Sequence, residues 1–348
     1  MKTAVVAFAA LAGAAALAAS GKSVAKTSPE SPTPTPVAIP DGAGGIGFDD
    51  LGFARGLKRV LVPAGRTGSL DLLDPQTQAV TAIPGFSRST GGKGGHGAGT
   101  TSADEGAGFL FASDRDARKL DVVDPSAKKI VASAALAAGP DYVRFVEVTR
   151  EVWVTEPSAK QIEVFTVPAQ GTPTPARAAT IAVPDGPESL VIDGTRKRAY
   201  THEWGGKTHA VDLALRKIIA SWDNGCGGSR GIALDEKKGF LFVGCEEGKV
   251  AVLDVESGRV VGSVKSGATG VDIIAWSPRL GHLYVPGESS ATVAILGISE
   301  AGAPLVLGVS PAAPGAHCAA TDDAGRFWVC DPARGRLLVY EDRFPASR

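Results

Sequence analysis

The sequence predicts an all-β protein, a seven-bladed β-propeller made of four-stranded antiparallel blades. Three observations support this prediction. Apolar runs rich in Val, Ile, Phe and Tyr alternate with period 2, and Gly, Asp or Pro interrupts them about every ten residues. Gly (44) and Pro (23) are spread through the 348 residues, which suits many tight turns. One pattern of strands and turns also recurs seven times at a spacing of about 40 to 50 residues, the length of one propeller blade.

The second strand of each repeat is the easiest to find, because it combines an aromatic or aliphatic pair with a terminal polar or small residue. The seven copies are RVLVP (59–63), FLFAS (109–113), VWVTE (152–156), AYTHE (199–203), FLFVG (240–244), HLYVP (282–286) and FWVCD (327–331). A further apolar strand follows each copy, as in SLDLLDP and KLDVVDP. The long amphipathic helices that a parallel α/β fold requires between its strands are not predicted anywhere in the sequence.

The first 34 residues are predicted to lie outside the propeller. Residues 1–20 combine one Lys, an Ala-rich apolar run and small residues of the Ala-x-Ala type, which is typical of a secretory signal peptide. The alternative is a membrane anchor, but the run is short for a membrane span. Residues 21–34 are rich in Pro, Ser and Thr and are expected to form a flexible tether. We therefore expect an exported, periplasmic or extracellular protein with no membrane span and a propeller over residues 35–348.

The two ends of the propeller are predicted to meet in one blade. The seventh repeat lacks a fourth strand, because the chain ends shortly after its third. The segment TPVAIPDGAGG (35–45) matches ATIAVPDGPES (179–189), the fourth strand of the third repeat. We expect the N-terminal segment to supply the missing outer strand of the last blade, which leaves no open sheet edge.

The repeated pattern of an aromatic–Val strand followed by VxVLDxxSGRVVGSV resembles the YVTN repeat of secreted bacterial seven-bladed propellers, the YncE-like proteins. The resemblance covers residues 35–343, and VWVTEP (152–157) comes nearest to the repeat's namesake motif. It implies the propeller fold. It does not select a function, because such propellers serve in binding, as scaffolds and in several enzymes.

The four cysteines are predicted to form two disulfides, which is consistent with export. In the repeat alignment Cys226 and Cys245 flank the first two strands of the fifth blade, and Cys318 and Cys330 lie nearly opposite each other in the seventh. The alternative is a thiol site for a metal or for redox chemistry, in which His317 is the one histidine adjacent to a cysteine pair.

The candidate ligand site is the funnel at one end of the central channel, where propellers usually bind ligands. The repeat alignment places one residue from each blade on this rim: Gly45, Gly99, Tyr142, Glu188, Arg230, Asp272 and His317, with Asp141 and Arg144 close by. The alternative is that these residues are solvated loop ends or pair with one another. No metal or other cofactor is expected, although Asp141, Glu188 and Asp272 offer oxygen atoms that could bind Ca²⁺.

The glycine-rich segment STGGKGGHGAGTTS (89–102) is expected to connect the first two blades, or to form a flap over the funnel. It lacks the Gly-Lys-Ser/Thr ending of a phosphate-binding loop.

These features favour an exported binding or interaction propeller without catalysis of its own, whose ligand is an unidentified protein or small molecule. A monomer is expected. The net charge of −1 argues against nucleic-acid binding. The alternative is an enzyme or enzyme subunit, either a lactonase-like hydrolase or an amine-dehydrogenase-like heavy chain. A converged carboxylate or histidine with a shifted pKa would favour that alternative, although no G-x-S-x-G motif is present.

Overall fold

The strands form seven four-stranded antiparallel sheets arranged as the blades of a propeller. The computed structural model describes residue 1, residues 31–89 and residues 98–347. The predicted signal peptide, most of the predicted tether and the centre of the glycine-rich segment, including His96, lie outside these residues. Across the described ranges the secondary structure is β-strand apart from two single turns of 3₁₀-helix, Pro157–Ala159 and Pro332–Arg334. The all-β, seven-bladed prediction is confirmed.

The strands of the first four blades follow the chain in order. They are β2 (Gly52–Ala54), β3 (Arg59–Pro63), β4 (Ser69–Leu73) and β5 (Val80–Pro84) in blade 1; β6 (Thr100–Gly106), β7 (Phe109–Asp114), β8 (Lys119–Asp124) and β9 (Lys129–Ala135) in blade 2; β10 (Val143–Val146), β11 (Glu151–Glu156), β12 (Gln161–Thr166) and β13 (Ala176–Ala182) in blade 3; and β14 (Val191–Asp193), β15 (Arg198–Glu203), β16 (Lys207–Asp212) and β17 (Lys217–Asp223) in blade 4.

The remaining blades use the rest of the chain together with its first described strand. They are β18 (Ser229–Asp235), β19 (Phe240–Cys245), β20 (Lys249–Asp254) and β21 (Val260–Lys265) in blade 5; β22 (Ala275–Ser277), β23 (His282–Gly287), β24 (Thr292–Ile298) and β25 (Pro304–Pro311) in blade 6; and β26 (Ala319–Thr321), β27 (Arg326–Asp331), β28 (Arg336–Glu341) and β1 (Thr35–Ala38) in blade 7.

Burial explains why the second strands read as almost continuous apolar runs. Every residue of β11, β19 and β23 is buried, because neighbouring blades cover both faces of these strands. The outer strands differ: β17 alternates between exposed and half-buried positions along its whole length. The sequence signal is therefore clearest for the strands that pack between blades.

The ring closes through the N-terminal strand, as the sequence predicts. β1 pairs antiparallel with β28, with Thr35 opposite Val339 and Ala38 opposite Arg336. Beyond the strand, the Ile39 amide donates to the Gly335 carbonyl at 3.3 Å, and the Ile39 side chain is buried in the core cluster shared with blade 7. The first described residues and the last blade are thus joined by backbone and side-chain contacts.

One position in the third strands divides the blades into two groups. In every blade this residue lies opposite the fourth residue of the neighbouring second strand. It is Asp71, Asp121, Glu163, His209, Ala251, Ala294 and Leu338 in blades 1 to 7. The first four are polar and buried. Three of these four side chains have polar partners. Asp121 accepts a hydrogen bond from Ser133, and Glu163 forms an ion pair with Arg177. His209 forms hydrogen bonds with Ser221 and Glu203.

Asp71 is the exception in this group. Its side chain is fully buried, and neither carboxylate oxygen has a partner at good hydrogen-bond geometry. The Ser69 hydroxyl lies nearby, 3.0 Å from the hydroxyl of Thr67. Burial raises the pKa of Asp71 to about 6, although the nearby Ser69 hydroxyl lowers this pKa by a smaller amount. Blade 1 therefore contains a carboxylate that is costly to ionise.

The described part of the chain contains no helix with the length and hydrophobicity needed to cross a bilayer.

Candidate binding site

A cavity of about 380 Å³ opens where the first strands begin and the second strands end, and we call it the funnel cavity. It is lined by Asp49, Arg115, Gly139, Asp141, Tyr142, Pro157, Ser158, Glu188, Trp204, Arg230 and Asp272. Acids, guanidinium groups and aromatic rings therefore share one small volume at the centre of the ring.

Four carboxylates reach the funnel cavity from four different blades. Asp49, Asp141, Glu188 and Asp272 lie just before the first strands of blades 1, 3, 4 and 6. Asp141 and Glu188 have the same backbone environment, because each amide donates at 2.9 Å to a carbonyl of the adjacent second strand, that of Thr155 or His202. The fold repeats this geometry from blade to blade, and so it brings the acids together.

Arg115 spans the cavity between two of these acids. It follows β7 directly, and its guanidinium donates to Asp141 and lies 3.4 Å from Asp49. Its Nε donates to the Pro140 carbonyl at 2.8 Å, which fixes the direction of the side chain. Arg115 is thus oriented by blade 3 and neutralises part of the charge of blades 1 and 3.

Arg230 and Trp204 form the opposite wall. The Arg230 guanidinium lies 3.2 Å from the centre of the Trp204 ring and donates to Glu188 at 3.2 Å and to Glu246 at 2.8 Å. The Trp204 indole N–H donates to the other oxygen of Glu188. Trp204 is half exposed, so it still presents apolar surface at the mouth of the cavity.

The crowding of carboxylates shows in their pKa values. Burial raises the pKa of Asp141 well above its usual value, and the negative charge of Asp49 raises it further, although Arg115 opposes both effects. Burial also raises the pKa of Glu188 to about 7, against the bond from Trp204. With a pKa of about 7, Glu188 is only partly ionised near neutral pH.

Five of the nine residues that the sequence analysis places on or beside the rim line this cavity: Asp141, Tyr142, Glu188, Arg230 and Asp272. Arg144 does not. Two residues further along the strand it is about 7 Å deeper, and it lines a second cavity of about 580 Å³ at the other face of the ring. There it pairs with Asp50 through two bonds of 2.5 and 3.1 Å. Tyr142 lines both cavities and therefore lies between them.

His317 is not among the residues that line the funnel cavity either. It is buried, with Nδ1 2.6 Å from the Gly315 carbonyl and Nε2 2.7 Å from the Phe48 carbonyl. These two contacts hold the imidazole ring between the segment that leads into blade 7 and the segment that leads into blade 1. A ring-shaped alignment gives the position of His317 correctly but not the direction of its side chain.

Sequence reasoning missed Asp49, Arg115 and Trp204. The alignment chose Gly45 for blade 1, but Gly45 lies in a turn where its carbonyl accepts a bond from Arg66 at 2.5 Å. Arg115 and Trp204 each come directly after the end of a second strand. The repeat pattern could have predicted them if the residue that follows each second strand had been included among the rim positions.

The cysteines follow the prediction in blade 5 but not in blade 7. Cys226 and Cys245 form a disulfide, with their Cα atoms 5.3 Å apart. Cys318 and Cys330 are opposite each other as predicted, since the Cys330 amide donates to the Cys318 carbonyl at 3.2 Å, but both are free thiols. The two thiols are close enough to form a hydrogen bond with each other rather than a covalent bond, and the Cys330 sulfur also accepts the amides of His317 at 3.3 Å and Cys318 at 3.2 Å.

The disulfide of blade 5 is expected to stabilise the protein. Changing both Cys226 and Cys245 to Ser should lower the free energy of unfolding by about 2 to 3 kcal/mol, because the unfolded chain regains the freedom of a closed loop. Urea denaturation of the double variant and the parent measures the difference. Adding a reductant to the parent should reproduce the loss, and equal denaturation midpoints for all three samples would contradict the prediction.

The funnel acids do not form a compact Ca²⁺ cage. Among the described residues, the groups of three or more metal-binding side chains whose donor atoms lie within 4.8 Å of one another are His317 with Cys318 and Cys330, and Cys226 with Cys245 and Glu247. The second contains the disulfide. None of the carboxylates that line the funnel cavity belongs to either group.

The arrangement of blades is shared with many solved structures. A chain of the mitotic checkpoint complex is similar with a TM-score of 0.74 and 14% identity, over 98% of this chain and 99% of that chain. A chain of hydrazine synthase from Kuenenia stuttgartiensis gives 0.69 and 13%, over 86% and 96%. The propeller domain of Cps50 (Swd1) from Myceliophteria thermophila gives 0.69 and 13%, over 87% and 98%.

The class of the protein is therefore a seven-bladed β-propeller. No protein-family model matches the chain, and no curated protein matches it. At 13 to 14% identity the solved structures share the fold alone.

Proposed function

We propose that the protein is an exported binding propeller that holds a small organic cation, such as a polyamine, in the funnel cavity. The observation that carries this proposal is the convergence of four carboxylates from four blades on one cavity with two aromatic rings. Arg115 and Arg230 supply two positive charges against the four acids, so the fully ionised lining has a net charge of −2. Ammonium groups match both the acids and the exposed face of Trp204.

The raised pKa values of Asp141 and Glu188 support the same reading. Burial is the main cause of both shifts, and the neighbouring acids add to it. A cation bound in the cavity would stabilise the ionised carboxylates, so binding should release protons. The signal peptide and the YVTN-like repeats support export and membership of the secreted propellers. The solved structures with this fold include a protein assembly, the mitotic checkpoint complex, and an enzyme, hydrazine synthase, so the fold is compatible with a binding role and does not itself select one.

Spermidine binding should tighten as the pH rises. Ionisation of Glu188 with a pKa of about 7 increases from about one tenth at pH 6 to about nine tenths at pH 8, so the affinity should rise by up to about tenfold. Isothermal titration calorimetry at both pH values measures this. Titrations in buffers of different ionisation enthalpy should also show proton release at pH 7.

Two variants sharpen the experiment. Glu188→Gln should weaken binding at pH 8 and remove most of its pH dependence. Glu300→Gln removes the same charge at an exposed site that pairs with Lys238, and it should change neither. No binding at pH 8, or an affinity that Glu188→Gln leaves unchanged, would refute the funnel as a cation site.

A second candidate is a hydrolase that uses Glu188 as a general acid–base, since a pKa of about 7 suits proton transfer near neutral pH. A carboxylate with a shifted pKa at the centre of the ring is the feature that the sequence analysis names as favouring an enzyme. A screen of lactones and esters tests it: turnover that Glu188→Gln abolishes and Glu300→Gln preserves would favour catalysis over simple binding.

A further inference from the structure

The free thiols of blade 7 belong to a buried cluster of three soft donors. One ring nitrogen of His317 and the sulfurs of Cys318 and Cys330 all lie within 4.8 Å of one another, and Nδ1 is 3.8 Å from the Cys330 sulfur. All three side chains are at most 2% exposed. Ligand atoms around a single metal ion are separated by similar distances, because metal–nitrogen and metal–sulfur bonds are about 2.0 to 2.3 Å long.

The imidazole is held in the orientation that a metal ligand requires. Nε2 of His317 lies 2.7 Å from the Phe48 carbonyl, so an N–H there donates to the backbone, and Nδ1 is the ring nitrogen near the Cys330 sulfur, at 3.8 Å. Metal-binding histidines typically have such a backbone or carboxylate acceptor on their second nitrogen. Nδ1 is also 2.6 Å from the Gly315 carbonyl, so in the metal-free protein it carries a proton that a metal ion would replace.

The two cysteines are positioned by the sheet. Cys330 is in β27, and Cys318 immediately precedes β26 and lies directly across from it. The amides of His317 and Cys318 both donate to the Cys330 sulfur, which stabilises it as an electron-rich ligand. The positions of both sulfurs are therefore fixed by backbone pairing rather than by flexible loops.

The surroundings favour a cation. Asp49 and Asp272 lie close enough to act electrostatically on the Cys318 thiol, and both also line the funnel cavity. The negative field disfavours an anion at the sulfurs and attracts a positive ion.

We propose that His317, Cys318 and Cys330 bind one Cu(I) ion. Two thiolates and one imidazole form a soft three-donor set, which suits monovalent copper. Zn²⁺ would need a fourth ligand from outside this set, such as water, because in the described ranges no further His, Cys or carboxylate group joins the three within 4.8 Å. Cu(I) is satisfied by the three donors alone. Binding replaces the protons on the ligand atoms with the metal, and the oxidation state of copper does not change.

Anaerobic titration of the purified full chain with the bicinchoninate complex of Cu(I) tests the proposal. The protein should remove one equivalent of copper, seen as loss of the absorbance of the complex. Cys318→Ser and Cys330→Ser should each lower the affinity for Cu(I) by at least about a hundredfold, and His317→Ala by about tenfold or more. The Cys226→Ser/Cys245→Ser double variant is the matched control and should keep one equivalent.

Measurements on the parent protein avoid any folding defect of the variants. X-ray absorption of the copper-loaded parent should show a three-coordinate Cu(I) ion with two sulfur neighbours and one nitrogen neighbour. A bound ion with only oxygen and nitrogen neighbours would overturn the proposal. It would also be overturned by a second disulfide in the protein as isolated, or by tight binding of Zn²⁺ with no retention of Cu(I).

Discussion

Deleting residues 33–41 is expected to lower the free energy of unfolding by about 5 kcal/mol or more. The deletion removes β1, whose four residues pair with β28, and it removes the buried side chain of Ile39. Each lost backbone hydrogen bond costs about 1 kcal/mol, and the loss of a buried Ile costs about 2 to 3 kcal/mol more. Because natural domains are stable by only about 5 to 15 kcal/mol, much of the variant should be unfolded or aggregated.

A deletion of similar kind elsewhere provides the control. Residues 169–172 are exposed in the loop between β12 and β13, and their removal should change the thermal unfolding temperature little. A synthetic peptide spanning residues 31–41 should restore part of the stability of the first variant when added in excess. If the variant lacking residues 33–41 unfolded at the temperature of the parent, the N-terminal strand would not be what closes the ring.

Asp71→Ala is expected to stabilise the protein by about 2 kcal/mol at pH 8 and to change its stability little at pH 4. The folded-state pKa of Asp71 is raised from 3.8 to about 6. The protein therefore loses stability as the pH rises through this window, and above pH 6 the full cost of about 3 kcal/mol is present. The lost packing of the smaller side chain offsets part of the gain. Alanine already occupies the equivalent position in blades 5 and 6, as Ala251 and Ala294.

Urea denaturation at the two pH values measures this effect, and Asp121→Ala is the matched comparison. The same atoms are removed there, but the Asp121 carboxylate has the Ser133 hydroxyl as a partner, so its gain at pH 8 should be smaller. An Asp71→Ala variant that is less stable than the parent at pH 8 would show that the Asp71 carboxylate has a stabilising partner in solution.

The fold could be predicted because the same pattern of strands and turns occurs seven times in the sequence. A strand buried on both faces must be apolar at almost every position, so the second strands are visible even where turns differ. Closure could be predicted for a similar reason, since a missing strand at one end and an extra strand at the other have one simple solution. Packing requirements of this kind restrict which residue types can occupy each position, and the sequence therefore shows them directly.

The site could be predicted only in part, because repeat position does not determine side-chain direction. Tyr142, Glu188 and Asp272 reach the funnel cavity from positions that the alignment found. His317 occupies an equivalent position, yet it turns away toward the Phe48 carbonyl, an acceptor that every residue type possesses. Asp49 was missed because the turn of blade 1, RGLK (55–58), has no Asp to mark the register.

The placement of Tyr142 has a kinetic consequence. It lines both cavities of the channel, so a molecule held among the funnel acids has the Tyr142 side chain on its inner side and the funnel mouth on its outer side. A protein docked over that mouth without touching the bound molecule would slow its arrival and its departure by the same factor. Residence time would then depend on the docked partner, while the equilibrium affinity would remain a property of the propeller alone.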